Sequence, residues 1–168
     1  MTEDTDDTVA EQFDRLVGEL NYPMFIVTAT DGSRRAGCLI GFASQASIDP
    51  PRFTVGLSKQ NHTYQVAGSA EFLAVHVPTP DQLDLAVLFG SRTGFTTDKF
   101  ARCAWRSGPH GVPLLTDCPQ WFVGRVLARH DTGDHEAFLL EPVAAAGEVG
   151  AGQLSFQELP DISPGNEA

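Results

Sequence analysis

From Trp121 to Arg129 the chain alternates, with Phe122, Gly124, Val126 and Ala128 set against Val123, Arg125, Leu127 and Arg129. Four turn residues follow, Asp131-Thr132-Gly133-Asp134, and then a second extended run from His135 to Ala146. A period of two is the pattern of a β-strand whose faces meet different surroundings. Two such runs joined by a tight turn must lie antiparallel, because a parallel pair needs a crossover of a dozen or more residues. The same logic recurs near the start. Met24 to Thr30 is rich in β-formers, Asp31-Gly32 is a hairpin signal, and Gly37 to Phe42 returns.

The remaining elements fit an antiparallel scheme. Phe53-Thr54-Val55-Gly56-Leu57 and Glu71 to Val77 predict strands, Trp105 sits in a short one, and Leu154 to Leu159 predicts a last. Helices are few and short. Phe13, Leu16, Val17 and Leu20 share one helical face, with Asp7 or Thr8 as the cap and Asn21-Tyr22-Pro23 as the stop. Asn61 caps a helix through Val66, and Pro80 opens another to Phe89. Residues 90–98 and the stretch from Gly108 to Pro113 predict loop and turn. Six or seven strands joined mostly by tight turns predict a mainly β fold, an antiparallel sheet or barrel with short flanking helices. Residues 9–160 form the expected single domain, between a disordered acidic stretch, 1–8, and a flexible tail, 161–168.

Charge narrows the partners. The net charge is −11, from 22 acidic and 11 basic residues, which argues against a broad nucleic-acid or anionic-membrane surface. No run approaches the roughly 18 consecutive apolar residues of a membrane helix. Met1 to Asp7 lacks the basic start and apolar run of a secretory signal, so a cytoplasmic location is expected. Cys38, Cys103 and Cys118 are odd in number and widely spaced, which suits neither a disulfide framework nor a metal knuckle. No G-x-S-x-G, Gly-rich phosphate loop or H-E-x-x-H occurs, and no metal site is expected.

Three segments carry polar chemistry. Ser44, Gln45 and Ser47 precede Ile48-Asp49-Pro50-Pro51, where two prolines stiffen the backbone and remove two donors. Such hydroxyls can serve a phosphate or a polar ring edge, or satisfy their own turn. Lys59-Gln60-Asn61-His62-Thr63 follows the next strand and opens a helix, combining a cation, a cap and a hydroxyl. It reads either as an anion site or as a plain Asn cap. His135 ends the Gly133-Asp134 turn, as an exposed residue or as a group that handles protons near neutral pH.

In order and spacing these motifs resemble the flavin reductase-like domain, whose fold is the FMN-binding split β-barrel of antiparallel Greek-key type. Ser47-Ile48-Asp49-Pro50-Pro51 is similar to its S-x-D-P-P, Asp98-Lys99-Phe100 to its D-K-F, and Gly133-Asp134-His135 to its G-D-H. Glu71 to Val77 resembles a strand that usually reads F-A-V-N-V. The likeness runs from about Tyr22 to Ala146.

The resemblance implies a homodimer that binds a flavin, FMN or FAD, uses NADH or NADPH, and supplies reduced flavin to a partner such as a monooxygenase. It implies that Gly41, Phe42, Ala43, Ser44, Gln45 and Ser47 wrap the isoalloxazine. Lys59, Asn61, His62 and Thr63 would hold the phosphate end, and Lys99 and Phe100 would approach from a nearby loop. His135 would sit at the nicotinamide. The flavin carries the redox chemistry, so no protein nucleophile is needed. Leu39 and Phe42 stand where many members have Thr or Ser, Gly41 where they have Asn or Ser, and Glu141 where Gly is common. The alternative is a non-enzymatic flavin or haem carrier on the same barrel, with His62, His76 or His135 as haem ligand.

Overall fold

The computed structural model describes residues 7–91 and 93–161. The rest of the acidic stretch expected to be disordered, and the tail from residue 162, lie outside them.

The chain opens with α1 (Val9–Gly18), capped by Thr8, whose hydroxyl accepts from the Glu11 N–H while the Glu11 carboxylate returns to the Thr8 N–H. The sheet strands follow as β1 (Phe25–Thr30), β2 (Arg35–Ile40), β3 (Ala43–Ser47) and β4 (Arg52–Ser58). Then come α2 (His62–Ala67), β5 (Phe72–His76) and α3 (Leu83–Ser91). A small ribbon, β6 (Trp105–Ser107) with β7 (Pro113–Leu115), precedes the long hairpin β8 (Trp121–Asp131) and β9 (His135–Ala146).

Among the described residues seven strands form one antiparallel sheet in the order β2-β1-β5-β8-β9-β4-β3. The two ends of that order, β2 and β3, are not paired to each other. Yet Ala36, Cys38 and Ile40 of β2 share one core cluster with Val55 and Leu57 of β4. The sheet therefore curls until its ends face across side chains rather than hydrogen bonds. Val66 and Ala67 of α2 fill that opening. Two register shifts between β8 and β9, at Val123/Gly124 and Val126/Ala128, let the hairpin bend around the core. Glu141 lies opposite Arg125 in this pairing and 3.7 Å from the Arg52 guanidinium, which gives its charge two cationic neighbours.

Two strands escaped the period-two reading. β3 is polar or small on both faces, so no alternation marks it. β7 has three residues, all buried and apolar. The strand expected at Leu154 to Leu159 is instead one bridge, Ser155 to Pro23, followed by a 3-10 turn, Phe156–Glu158. The Glu158 carboxylate takes both the N–H and the hydroxyl of Ser155, so local capping replaces a ladder.

His76 is fully buried and ties three elements together. Its Nε2 accepts the Leu115 N–H at 3.0 Å, so the proton must sit on Nδ1, which donates to the Ile26 carbonyl at 3.0 Å. With both nitrogens engaged inside the core, His76 cannot ligate a haem. Burial brings its pKa down to about 4. All three thiols are also pushed up by burial, Cys118 to about 12, as suits packing groups rather than reagents.

Gly37 shows how tightly β2 meets α3. A Cβ there would lie 2.6 Å from the Phe89 ring, which is itself 1% exposed. Gly37→Ala is expected to cost about 1–3 kcal/mol by overpacking. Urea unfolding reads this directly, and an unchanged midpoint would show that the ring has room to move.

Candidate functional site

The predicted site residues fall into two neighbourhoods that share the segment from Lys59 to Thr63.

The first lies along β3 and β4. Gly41 packs beneath Tyr22, whose ring occupies the space that a Cβ at position 41 would need. Tyr22 is held by Phe156, stacked at 4.9 Å. A side-chain donor has no room at position 41, and Leu39 beside it packs into the α3 side of the core. Phe42 points outward, 60% exposed, with its ring 4.9 Å from that of His135. Its carbonyl accepts the Gly56 N–H at 2.7 Å. Ala43 packs on the core, and Ser44 and Gln45 are exposed, turning their side chains onto the Gln45 and Ser47 carbonyls. Ser47 is half-buried opposite Arg52.

His135 faces this neighbourhood from the start of β9, opposite Ser58. Its Nδ1 lies 2.7 Å from the Asp134 carboxylate, a contact that lowers the Asp134 pKa. The Lys59 ammonium lies 3.0 Å from Asp131, and the Lys59 N–H donates to the Asp134 carbonyl. That hydrogen bond to Asp131 is the main cause of the raised Lys59 pKa. Phe42, Lys59, Asp134 and His135 therefore stand together. Ser47 does not join them: β4 separates Arg52 from Ser58, about 20 Å at the rise of a strand.

The second neighbourhood is a cavity of about 380 Å³ between the β1–β2 hairpin and residues 94–100, with His62 in its wall. Asn61 caps α2 by accepting the Thr63 N–H at 3.0 Å. Thr63 is 1% exposed, with its hydroxyl turned toward the Cys38 thiol. The His62 ring meets Phe95 edge-on at 4.9 Å, and its Nδ1 is buried without a hydrogen-bond partner. Burial, then Arg34 and Lys99, lowers its pKa.

Lys99 lines this cavity but is 4% exposed. Its ammonium donates to the carbonyls of Gly37 at 2.9 Å and Phe89 at 3.0 Å. Phe89 lies in the last turn of α3, where carbonyls lack helical partners and a cation is favourable. Phe100 is buried edge-on between Phe89 and Trp105, and Asp98 accepts the Phe100 N–H. Each residue of Asp98-Lys99-Phe100 thus has a structural role.

Arg34, Arg35 and Phe95 also line this cavity and are not among the site residues expected from the sequence. Arg34-Arg35 follows Asp31-Gly32-Ser33, and two adjacent cations in so acidic a chain were the available signal. Phe95 had none, since only folding brings residues 94–100 to His62.

Residues 17–158 match the family model described as "Flavin reductase like domain". The chain is 28% identical over 144 residues to the FMN reductase (NADH) RutF of Methylorubrum extorquens, covering 84% of this chain and 70% of that protein. It is 28% identical over 113 residues to the stachydrine N-demethylase reductase subunit Stc3 of Rhizobium meliloti, 65% of this chain and about half (48%) of that one. The solved structure of the NADH:FAD oxidoreductase SgcE6 of Streptomyces globisporus superposes with a TM-score of 0.80 over 89% of each chain at 23% identity, a likeness of fold.

Proposed function

We infer, from the premise that the chain belongs to the flavin reductase like domain family, that it is an NAD(P)H-dependent flavin reductase acting on FMN or FAD. The observation that carries the reading is the shared segment from Lys59 to Thr63. It joins an outward aromatic and histidine pair, Phe42 and His135, to a cation-lined cavity.

The residues suit a flavin. β3 is an edge strand, so the outer N–H and C=O groups of its backbone are offered to a polar ring. Gly41, Phe42, Ala43, Ser44, Gln45 and Ser47 would supply that edge. Lys59, Asn61 and His62 would hold the phosphate, and the orphan His62 Nδ1 is a buried group in want of a partner. The Thr63 hydroxyl faces inward and its N–H is held by Asn61, so Thr63 would support the start of α2 rather than touch the phosphate. Lys99 and Phe100 would support the cavity wall from within. When bound, the flavin accepts hydride from the nicotinamide and passes electrons onward.

His135 would orient the nicotinamide. Asp134 fixes the ring through Nδ1, which leaves Nε2 to meet the carboxamide. Phe42, whose ring is tilted against His135 at 4.9 Å, must then swing aside. That neighbour favours one second reading, a flavin carrier that nicotinamide cannot reach.

Among the described residues no helix is long and apolar enough to cross a membrane. We place the protein in the cytoplasm with its nicotinamide coenzymes, as a homodimer that passes reduced flavin to a monooxygenase. The edge of β3 and the exposed apolar face of α1 (Val9, Phe13, Leu16) support a partner copy. Oxidation of NADH or NADPH with FMN or FAD added tests the activity. Turnover that requires flavin is expected, and a chain that binds flavin without turnover is a carrier.

A further inference from the structure

α1 is finished as a helix and yet buries nothing. Thr8 and Glu11 close a capping box at its start, and Arg15 pairs with Asp7 along its side. Its apolar residues face outward: Val9 is 83% exposed, Phe13 59%, Leu16 72% and, just past its end, Leu20 55%. No residue of α1 is buried. Ten residues make a marginal helix in water, and most helical stability in a protein comes from packing an apolar face. This chain's own sheet does not supply that packing, so a second surface has to.

The spacing of the face selects its occupant. Steps of four, three and four separate Val9, Phe13, Leu16 and Leu20, and the Leu20 N–H returns to the Val17 carbonyl at 3.1 Å, so the last of them continues the turn. That is the narrow seam of a coiled coil rather than the broader stripe of a helix laid on a sheet. The four positions are also self-complementary. Turned end for end about a point level with Asp14 and Arg15, Phe13 meets Leu16 of the partner subunit, and Val9 meets Leu20 of the partner subunit. Of the residues beside the seam, Ala10, Gln12 and Val17 are uncharged, and the rotation brings Glu19 beside Gln12 of the partner subunit. No like charges are set together, and the two helix dipoles run head to tail.

Place and area say how such a seam is used. Tyr22, four residues past the end of α1, packs on Gly41 just before β3, so α1 is rooted beside the open edge of that strand. Eight side chains, at on the order of 100 Å² each, fall short of the roughly 1,200–2,000 Å² that a stable interface buries. The seam therefore reinforces a contact between the two bodies and shares its two-fold axis. We propose that α1 pairs antiparallel with α1 of a second copy of this chain, as an arm of the dimer whose other contact is the β3 edge. The inference rests on the homodimer reading for that other contact.

Cross-linking reads the pairing directly. Val9→Cys with Leu20→Cys in the full chain should give a disulfide-linked dimer on mild oxidation, whereas either change alone should give little. Within one helix those two positions lie about 16 Å apart, too far to bridge internally. No native cysteine lies in α1. Sedimentation equilibrium reads the strength. The wild type should be a dimer, and Leu16→Glu should raise its dissociation constant on the order of tenfold, a change of about 1.4 kcal/mol. Leu16 is exposed, so the variant should keep the urea midpoint of the wild-type fold when both are measured as monomers. A double-cysteine variant that does not cross-link overturns the pairing, as do single variants that link as fast as the double one. A Leu16→Glu dimer as tight as the wild type overturns it too. A wild-type monomer removes the homodimer reading along with the seam, whereas a wild-type dimer that fails both tests removes the seam alone and leaves the β3 edge.

Discussion

His76→Leu is expected to destabilise the fold by about 2–5 kcal/mol at neutral pH. Leucine approximates the volume, so the loss comes from two buried partners left unpaired: the Ile26 carbonyl and the Leu115 N–H. Each such group costs roughly 1–3 kcal/mol. For a chain of this size that corresponds to a fall in Tm on the order of 5–15 °C. The same residue makes a pH signature. Its folded pKa, about 4, lies below the ordinary 6.5 because burial disfavours the imidazolium. The unfolded chain takes the proton first as pH falls, so the stability contribution is full above about pH 6.5. It is lost between 6.5 and 4, to a total of about 3 kcal/mol. The variant should lose that segment of the stability curve while keeping the carboxylate-driven loss at lower pH. Urea melts at pH 7 and pH 4.5 measure both effects. A variant as stable as the wild type at pH 7, with the same acid slope, would remove His76 as the staple between β1, β5 and β7.

His135→Ala is expected to lower kcat/KM for the nicotinamide roughly tenfold to a hundredfold and to leave flavin affinity nearly unchanged. A hydrogen bond to a polar substrate group is worth about 1–3 kcal/mol when its loss leaves that group unpaired. His135 stands opposite Ser58 at the end of β4, with Nδ1 held by Asp134 at 2.7 Å. Asp134→Asn should give a smaller loss in the same parameter, because it frees the ring without removing it. The Phe42 ring leans at a tilt against His135, so Phe42→Ala should leave flavin reduction intact and open the histidine further. Steady-state kinetics with direct flavin titration separate these outcomes. A His135→Ala variant that loses flavin binding, or that turns over normally, would remove the residue from the nicotinamide site.

Much of the fold was legible because its hairpins announce themselves. Asp31-Gly32 and Asp131 to Asp134 each sit between extended runs, and both close antiparallel pairs. Asp31 also shows why such turns are chemical as well as geometric. Its carboxylate accepts the N–H groups of Arg34 and Ser33, which pushes its pKa far below the usual carboxylate range. β3 was illegible because neither face is apolar, and β7 because three residues have no period.

The site was legible as motifs and less so as directions. Thr63 follows a cap that places it on the inner side of α2, and Lys99 reaches for helix carbonyls rather than solvent. Neither direction is encoded in residue type. The glycine at position 41 looked like a lost donor, and the Tyr22 ring above it supplies the reason. Arg34 and Phe95 lie about sixty residues apart and meet only through tertiary packing, which no local pattern records.

The chain is expected to move hydride equivalents from a nicotinamide nucleotide to flavin. Anaerobic mixing of the purified chain with NADH or NADPH and either FMN or FAD, followed at the visible flavin band, tests it most directly. The band should bleach at a rate proportional to the protein added, and air should restore it. A band that persists with both reductants and both flavins would contradict it.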